Sequence, residues 1–266
     1  MEENKIFLRT IEEKYERFLD YYTIMSSDFL SLEQQSMLAG FLRAHKQENV
    51  FLFGGYPEAE RRQVLFLPDY TGITPEADDE QLLDYFRKNP EDCSIGVLDA
   101  AVAPAAGEKL THRDYLGALM GEGIRREKIG DILVSEHGAQ IVAAKEMCAY
   151  LMQNYRHVGK FETNVKVLPI FEISHCESRT NSLNFTVSSP RIDNIIAAVY
   201  GLSRKLAAEA ILSGSVFVND RQTIKPDTAL KGGEKIVLRG KGKAIYHGTS
   251  GTSRKGKLYI HVDKYI

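Results

Sequence analysis

The residues best placed to do chemistry are two adjacent cations, Arg204 and Lys205, directly after Ser203. Ser is a preferred N-cap residue. Behind it, Leu206, Ala207, Ala210 and Ile211 repeat as the inner face of a helix. Both cations then fall in a first helical turn, where the helix dipole disfavours positive charge. A negative partner outside the chain explains them better. Helix N–H groups and two cations together make a phosphate site. Arg191, Arg221, Lys225, Lys231, Arg239 and Lys241 crowd the same stretch. With Ser203 and the turn former Asn219, they form the predicted polyanion-binding set.

Other constellations promise less. His112-Arg113-Asp114 has the form of the kinase catalytic triplet, but the Asn at its required spacing, the Gly-rich loop and D-F-G are all missing. A helix-start cap is expected there instead. His175 and Cys176 are adjacent, so on an extended segment they point apart. No G-x-x-x-x-G-K-[ST], H-E-x-x-H or C-x-x-C occurs. The expectation is no catalytic residue, no cofactor and no metal site. Three widely spaced cysteines, Cys93, Cys148 and Cys176, fit a reducing cytoplasm. No apolar run approaches the roughly 18–20 residues of a membrane span, and the charged N-terminus does not read as a signal peptide.

The net charge of −2 conceals an asymmetry. From Ser189 onward there are 14 Lys/Arg and 6 Asp/Glu, or +8; the preceding 188 residues hold 20 and 30, or −10. A basic module on an acidic body implies a localised polyanion site.

The elements that position these cations are legible. Ile192, Ile195, Ile196 and Val199 make one helix face, Gly201 closes that helix, and Ser203 opens the next. Val216-Phe217-Val218 is a strand ending at Asn219-Asp220, and Lys235 to Arg239 is another. In order these give Arg191-Ile192-Asp193, Ser203-Arg204-Lys205-x-Ala207, Ile211, Gly214, Val216, Val218-Asn219, Lys225-Pro226 and Gly233-Glu234-Lys235-Ile236. The series resembles the RNA-binding domain named after ribosomal protein S-four.

Upstream, Lys5–Met25 reads as an amphipathic helix, and Ser31-x-x-Gln34 caps a second one ending near His45. Two strands, 50–53 and 64–67, flank Gly54 to Gln63, where Arg61 and Arg62 are auxiliary phosphate candidates. Residues 68–90 read as a turn-rich acidic boundary. Then come a strand at 94–102, a helix at 112–121, strands at 131–135 and 140–144, a helix at 145–155 and a strand at 164–170. This is the ferredoxin-like split βαβ order. Arg125, Arg126 and Lys128 sit in its Gly-bounded loop as secondary RNA-binding candidates. Residues 171–184 read as a strand plus linker. The tail after Arg239 reads as a Gly/Ser/Thr loop before a closing strand at 257–262.

Thr111 to Val134, with GGYPEAERRQV from Gly54, resembles the bacterial YlmH family. The resemblance implies a multidomain α+β chain: an N-terminal helical α/β domain (1–75), a ferredoxin-like candidate RNA-binding domain (76–172) and an S-four-like domain (185–266). It also implies a non-enzymatic protein that binds ribosomal RNA, with tRNA as a second candidate, on the large ribosomal subunit in rescue of stalled translation. Two alternatives stand beside it. One is an RNA-modifying enzyme with an appended binding domain. The other is a cell-division interaction protein with division-related protein partners.

Overall fold

The computed structural model describes residues 2–45, 49–102, 109–173 and 180–265. The chain divides into two compact units, Met1–Cys176 and Glu177–Ile266. His175 and Cys176 lie outside the described residues.

The first unit begins with α1 (Glu2–Tyr21), β1 (Met25–Ser26), α2 (Leu32–His45), β2 (Val50–Phe53) and β3 (Gln63–Phe66). α1 ends earlier than its apolar spacing predicts. Tyr22 takes a left-handed φ of 49°, which stops the helix, and Met25 pairs with Phe66 in a small antiparallel sheet. α2 carries the expected capping box: Gln34 N donates to Ser31 Oγ at 3.3 Å, and Ser31 N donates to Gln34 Oε1 at 2.8 Å.

The acidic boundary segment holds a helix that the sequence reading missed, α3 (Asp79–Lys88). Asp78 and Gln81 form its capping box, and Asp79 and Glu80 complement the positive end of its dipole. Its short apolar stripe, Leu82 and Phe86, is buried.

The ferredoxin-like part follows: β4 (Ile95–Val102), α4 (His112–Gly121), β5 (Ile129–Ser135), β6 (Gly138–Ala144), α5 (Lys145–Asn154), β7 (His157–Val158) and β8 (Phe161–Leu168). The antiparallel sheet runs β5-β6-β4-β8, with the short β7 added at the edge. β8 starts and stops a few residues before its predicted range. Thr111 and Asp114 form the capping box of α4, so the His112-Arg113-Asp114 triplet is a helix start. Apolar residues on both faces of this sheet are buried. Leu98, Ala100, Ile141 and Ala143 pack with Tyr115, Leu119 and Leu151 of α4 and α5. Ile95, Val97 and Val142 share a core with Phe29, Phe51, Phe53, Leu65, Leu82 and Phe86. The near-continuous apolar run of β4 follows from that double burial.

The second unit contains β9 (Thr180–Val187), α6 (Ile192–Tyr200), α7 (Arg204–Leu212), β10 (Val216–Val218), β11 (Arg221–Thr223), β12 (Glu234–Leu238), β13 (Gly242–Thr252) and β14 (Leu258–Tyr265). Its antiparallel sheet runs β11-β10-β12-β13-β14-β9. Ile192, Ile195, Ile196 and Val199 are buried in its core, and Gly201 closes α6 at φ 64°. Leu206 departs from expectation: it is 52% exposed, and Ala207 and Ile211 form the buried contacts of α7. The predicted Gly/Ser/Thr loop is strand as far as Thr252. β13 keeps pairing with β14 through register shifts near Gly248 and Gly251.

Candidate nucleic-acid interface

The order Arg-Ile-Asp places Arg191 at the N-cap of α6 and Asp193 in its first turn. The Asp193 side chain is only 7% exposed, and both of its oxygens are engaged by guanidinium groups. Arg191 donates to it through Nε at 3.1 Å and Nη2 at 3.2 Å. Arg204, from the start of α7, donates through Nη2 at 3.1 Å. One buried carboxylate thus brings together two cations separated in sequence. Burial pushes the Asp193 carboxyl up. The hydrogen bonds and charges of the two arginines outweigh that and hold it below the ordinary carboxylate range. Arg204 remains 64% exposed and Arg191 41%. A guanidinium has five N–H donors. The described contacts to Asp193 use one of Arg204 and two of Arg191.

Ser203 accepts from Leu206 N at 3.2 Å, the predicted cap of α7. Lys205 beside it is 87% exposed, with Glu209 4.0 Å away. The Lys225-Pro226 segment docks on the start of α6 through backbone bonds. Asp193 N donates to Pro226 O, Ile192 N to Thr228 O, and Leu230 N to Pro190 O. Exposed Lys225 and Lys231 bracket that docked segment. Arg221, on the edge strand β11, is exposed, as are Arg239 and Lys241. Arg239 lies over the Phe217 ring at 5.8 Å. No described contact joins these three to the Asp193 cluster.

Asn219 has a different task. With Asp220 it takes positive φ, 47° and 62°, in a two-residue hairpin turn. Its Oδ1 accepts from Lys235 N at 2.9 Å, and Lys235 Nζ reaches Asp220 at 2.7 Å. The side chain that sequence reading offered to RNA is committed to the turn.

The secondary candidates divide sharply. Arg61 donates to Ile129 O (2.9 Å), Phe29 O (2.9 Å) and Arg126 O (3.4 Å). Burial, with Arg126 nearby, lowers its pKa to about 10. Arg62 donates to Ala59 O and Pro57 O and pairs with Asp79 at 2.9 Å. Arg126 donates to Ile129 O and Gly130 O. Lys128 bridges Asp28 (2.6 Å) and Glu146 (2.7 Å). Of the five, Arg125 keeps an exposed cation, 70% open, with Asp28 3.9 Å away. Asp131 anchors the same junction, accepting from Tyr56 OH, Glu60 N and Arg61 N.

Residues 91–172 match the family model described as "Putative RNA-binding domain in YlmH", and residues 3–71 match "YlmH, N-terminal". The chain belongs to the YlmH family. It is similar to the ribosome-associated protein quality control protein P2 of Bacillus subtilis (strain 168). The two are 26% identical over 245 residues, covering 92% of this chain and 89% of that protein. It also matches a solved structure of the cell division protein ylmH from Streptococcus pneumoniae. That match has 24% identity and a TM-score of 0.47, and covers 64% of this chain and 94% of the other.

In this YlmH-family chain, the residue whose part sequence reasoning missed is Asp193. The R-I-D order displayed it, and its role as the shared brace of Arg191 and Arg204 needed the distance between α6 and α7. Asp131 gave no comparable signal, because its partners lie some 70 residues away in the chain.

Proposed function

We propose that the chain is a non-enzymatic RNA-binding protein of the translation machinery. In this reading it holds ribosomal RNA on the large ribosomal subunit, with tRNA as a further ligand, during rescue of stalled translation. The observation that carries it is the pair of exposed guanidinium groups fixed on one buried carboxylate, Arg191 and Arg204 on Asp193. A rigid pair of planar donors suits phosphate oxygens, and backbone contact of that kind recognises RNA by shape.

Lys205, Lys225 and Lys231 extend the surface, and Arg221, Arg239 and Lys241 are its outlying members. Ser203 and Asn219 shape it. In the first unit the reading keeps Arg125 as the secondary contact. It assigns Arg61, Arg62, Arg126 and Lys128 to holding their own junction together. The name of the Bacillus relative and the RNA-binding description of the family model support the translation role. The same reading puts the chain in the cytoplasm and keeps the three-domain division at 1–75, 76–172 and 185–266.

The test is co-sedimentation with ribosomal subunits. Arg204→Ala with Lys205→Ala should abolish it. The slope of log K against log salt for RNA should become shallower by roughly 1–2. An unchanged slope refutes the assigned surface.

A further inference from the structure

On the outer face of the second unit's sheet, five polar side chains meet across three neighbouring strands. His261 and Asp263 are two apart on β14 and so share a face, while Ile260 and Val262 between them are buried in the core. His247 comes from β13. Its neighbours Tyr246 and Gly248 pair with Val262 and His261, so His247 is the extra residue of a β-bulge. In a regular ladder it would stand opposite His261; the bulge moves it toward Asp263. Bulges are a common means of re-aiming one side chain. His247 Nε2 lies 2.7 Å from Asp263 Oδ2, and His261 Nε2 lies 3.7 Å from Asp263 Oδ1. The potential donor atoms of all three residues fall within 4.8 Å of one another.

The surrounding groups orient this trio. His261 Nδ1 is 3.1 Å from Asn184 Oδ1 on β9. An amide oxygen only accepts, so Nδ1 carries the proton, and in the neutral ring Nε2 keeps its lone pair toward the cluster. Ser182 donates to Asp263 Oδ1 at 2.5 Å. Asn184 and Ser182 are the cross-strand partners of His261 and Asp263. A histidine whose second nitrogen is held by a neighbouring oxygen is the usual arrangement of a metal ligand.

The geometry points to a binding site for one divalent transition-metal ion of the zinc class, with His247, His261 and Asp263 as ligands. Bonds of about 2.0–2.2 Å in tetrahedral geometry separate donors by roughly 3.3 Å. The observed 2.7 Å to Asp263 Oδ2 and 3.7 Å to Asp263 Oδ1 lie on either side of that value, and one ligand atom from each of the three residues lies within 4.8 Å of the others. Two imidazoles and one carboxylate, without thiolate, suit such an ion better than calcium or magnesium. The side chains are 41%, 40% and 26% exposed, which gives an ion direct access and leaves a coordination position for water. The RNA-binding reading plays no part in this inference.

The test is calorimetric titration of the chelator-treated full chain with zinc chloride at neutral pH, paralleled by cobalt absorption. The expected result is one ion per chain. Asp263→Asn and His247→Gln should each weaken binding at least 10-fold, and Asn184→Ala roughly 10-fold through the lost orientation of His261. Absence of stoichiometric binding by the wild-type chain overturns the proposal. So does wild-type affinity in the Asp263→Asn/His247→Gln double variant, which would place the ion elsewhere.

Discussion

Replacing Asp193 by Asn separates two accounts of the basic surface that predict opposite signs. If the surface worked by net charge alone, removing a carboxylate would tighten RNA binding. A unit charge roughly 6 Å from a bound phosphate in a water-like medium is worth about 0.7 kcal/mol. If Asp193 acts as a brace, the loss goes the other way. The amide keeps the shape but not the charge, and one of its two positions presents N–H to a guanidinium that already donates. Arg191 and Arg204 would then regain rotamer freedom, worth about 1.5–2 kcal/mol for each long side chain held rigid. Their partial exposure reduces what is held to about 2–3 kcal/mol for the pair. Setting the electrostatic gain against this leaves RNA binding weaker by about 1.3–2.3 kcal/mol, or about 10- to 50-fold. The assay is equilibrium binding to ribosomal RNA at fixed salt, with circular dichroism to show that the variant is folded. A folded Asp193→Asn chain that binds as tightly as the wild type, or more tightly, refutes the brace.

Three further outcomes follow from the placement of these groups. Arg125→Ala should make the salt slope for RNA shallower by about 0.7–0.9 without loss of stability. Arg61→Ala should leave the slope unchanged and cost about 2–4 kcal/mol in urea unfolding, because three backbone carbonyls lose their donor; a slope change in Arg61→Ala would restore it to the RNA surface. The stability supplied by Asp193 has a defined pH window, since its folded pKa is lowered from an unfolded value of about 3.9. It is fully present above that value and is lost as pH falls through the lowered one. The wild type should therefore exceed Asp193→Asn in unfolding free energy by a constant amount from pH 5 to 7, and the gap should close only below about pH 4. A gap that closes between pH 5 and 7 would show that the arginines do not depress this carboxyl.

Legibility from sequence followed the range of the interactions. The helices of the second unit were readable because their signals are local: Ser203 caps α7, Gly201 closes α6, and the Ile192-to-Val199 stripe has one period. The ferredoxin-like order was readable for the same reason, since its apolar strands and α4 carry their own patterns. α3 was missed because Asp78, Asp79 and Glu80 read as boundary composition, when in fact they cap a helix and complement its dipole. The cations were the least legible. Arg61, Arg62, Arg126 and Lys128 read as secondary phosphate candidates, because sequence shows a charge but not the acceptors that will surround it. Folding supplied backbone carbonyls to three of them and two carboxylates to the fourth. Arg191 and Arg204 also acquired an internal acid, with a different result. Asp193 is buried and takes few of their donors, so it fixes both guanidinium groups while leaving them facing solvent. What separates a structural arginine from one proposed to bind RNA in this chain is therefore the number of donors left over after folding. Of the basic residues in question, Arg204 keeps the most among those with a fixed position.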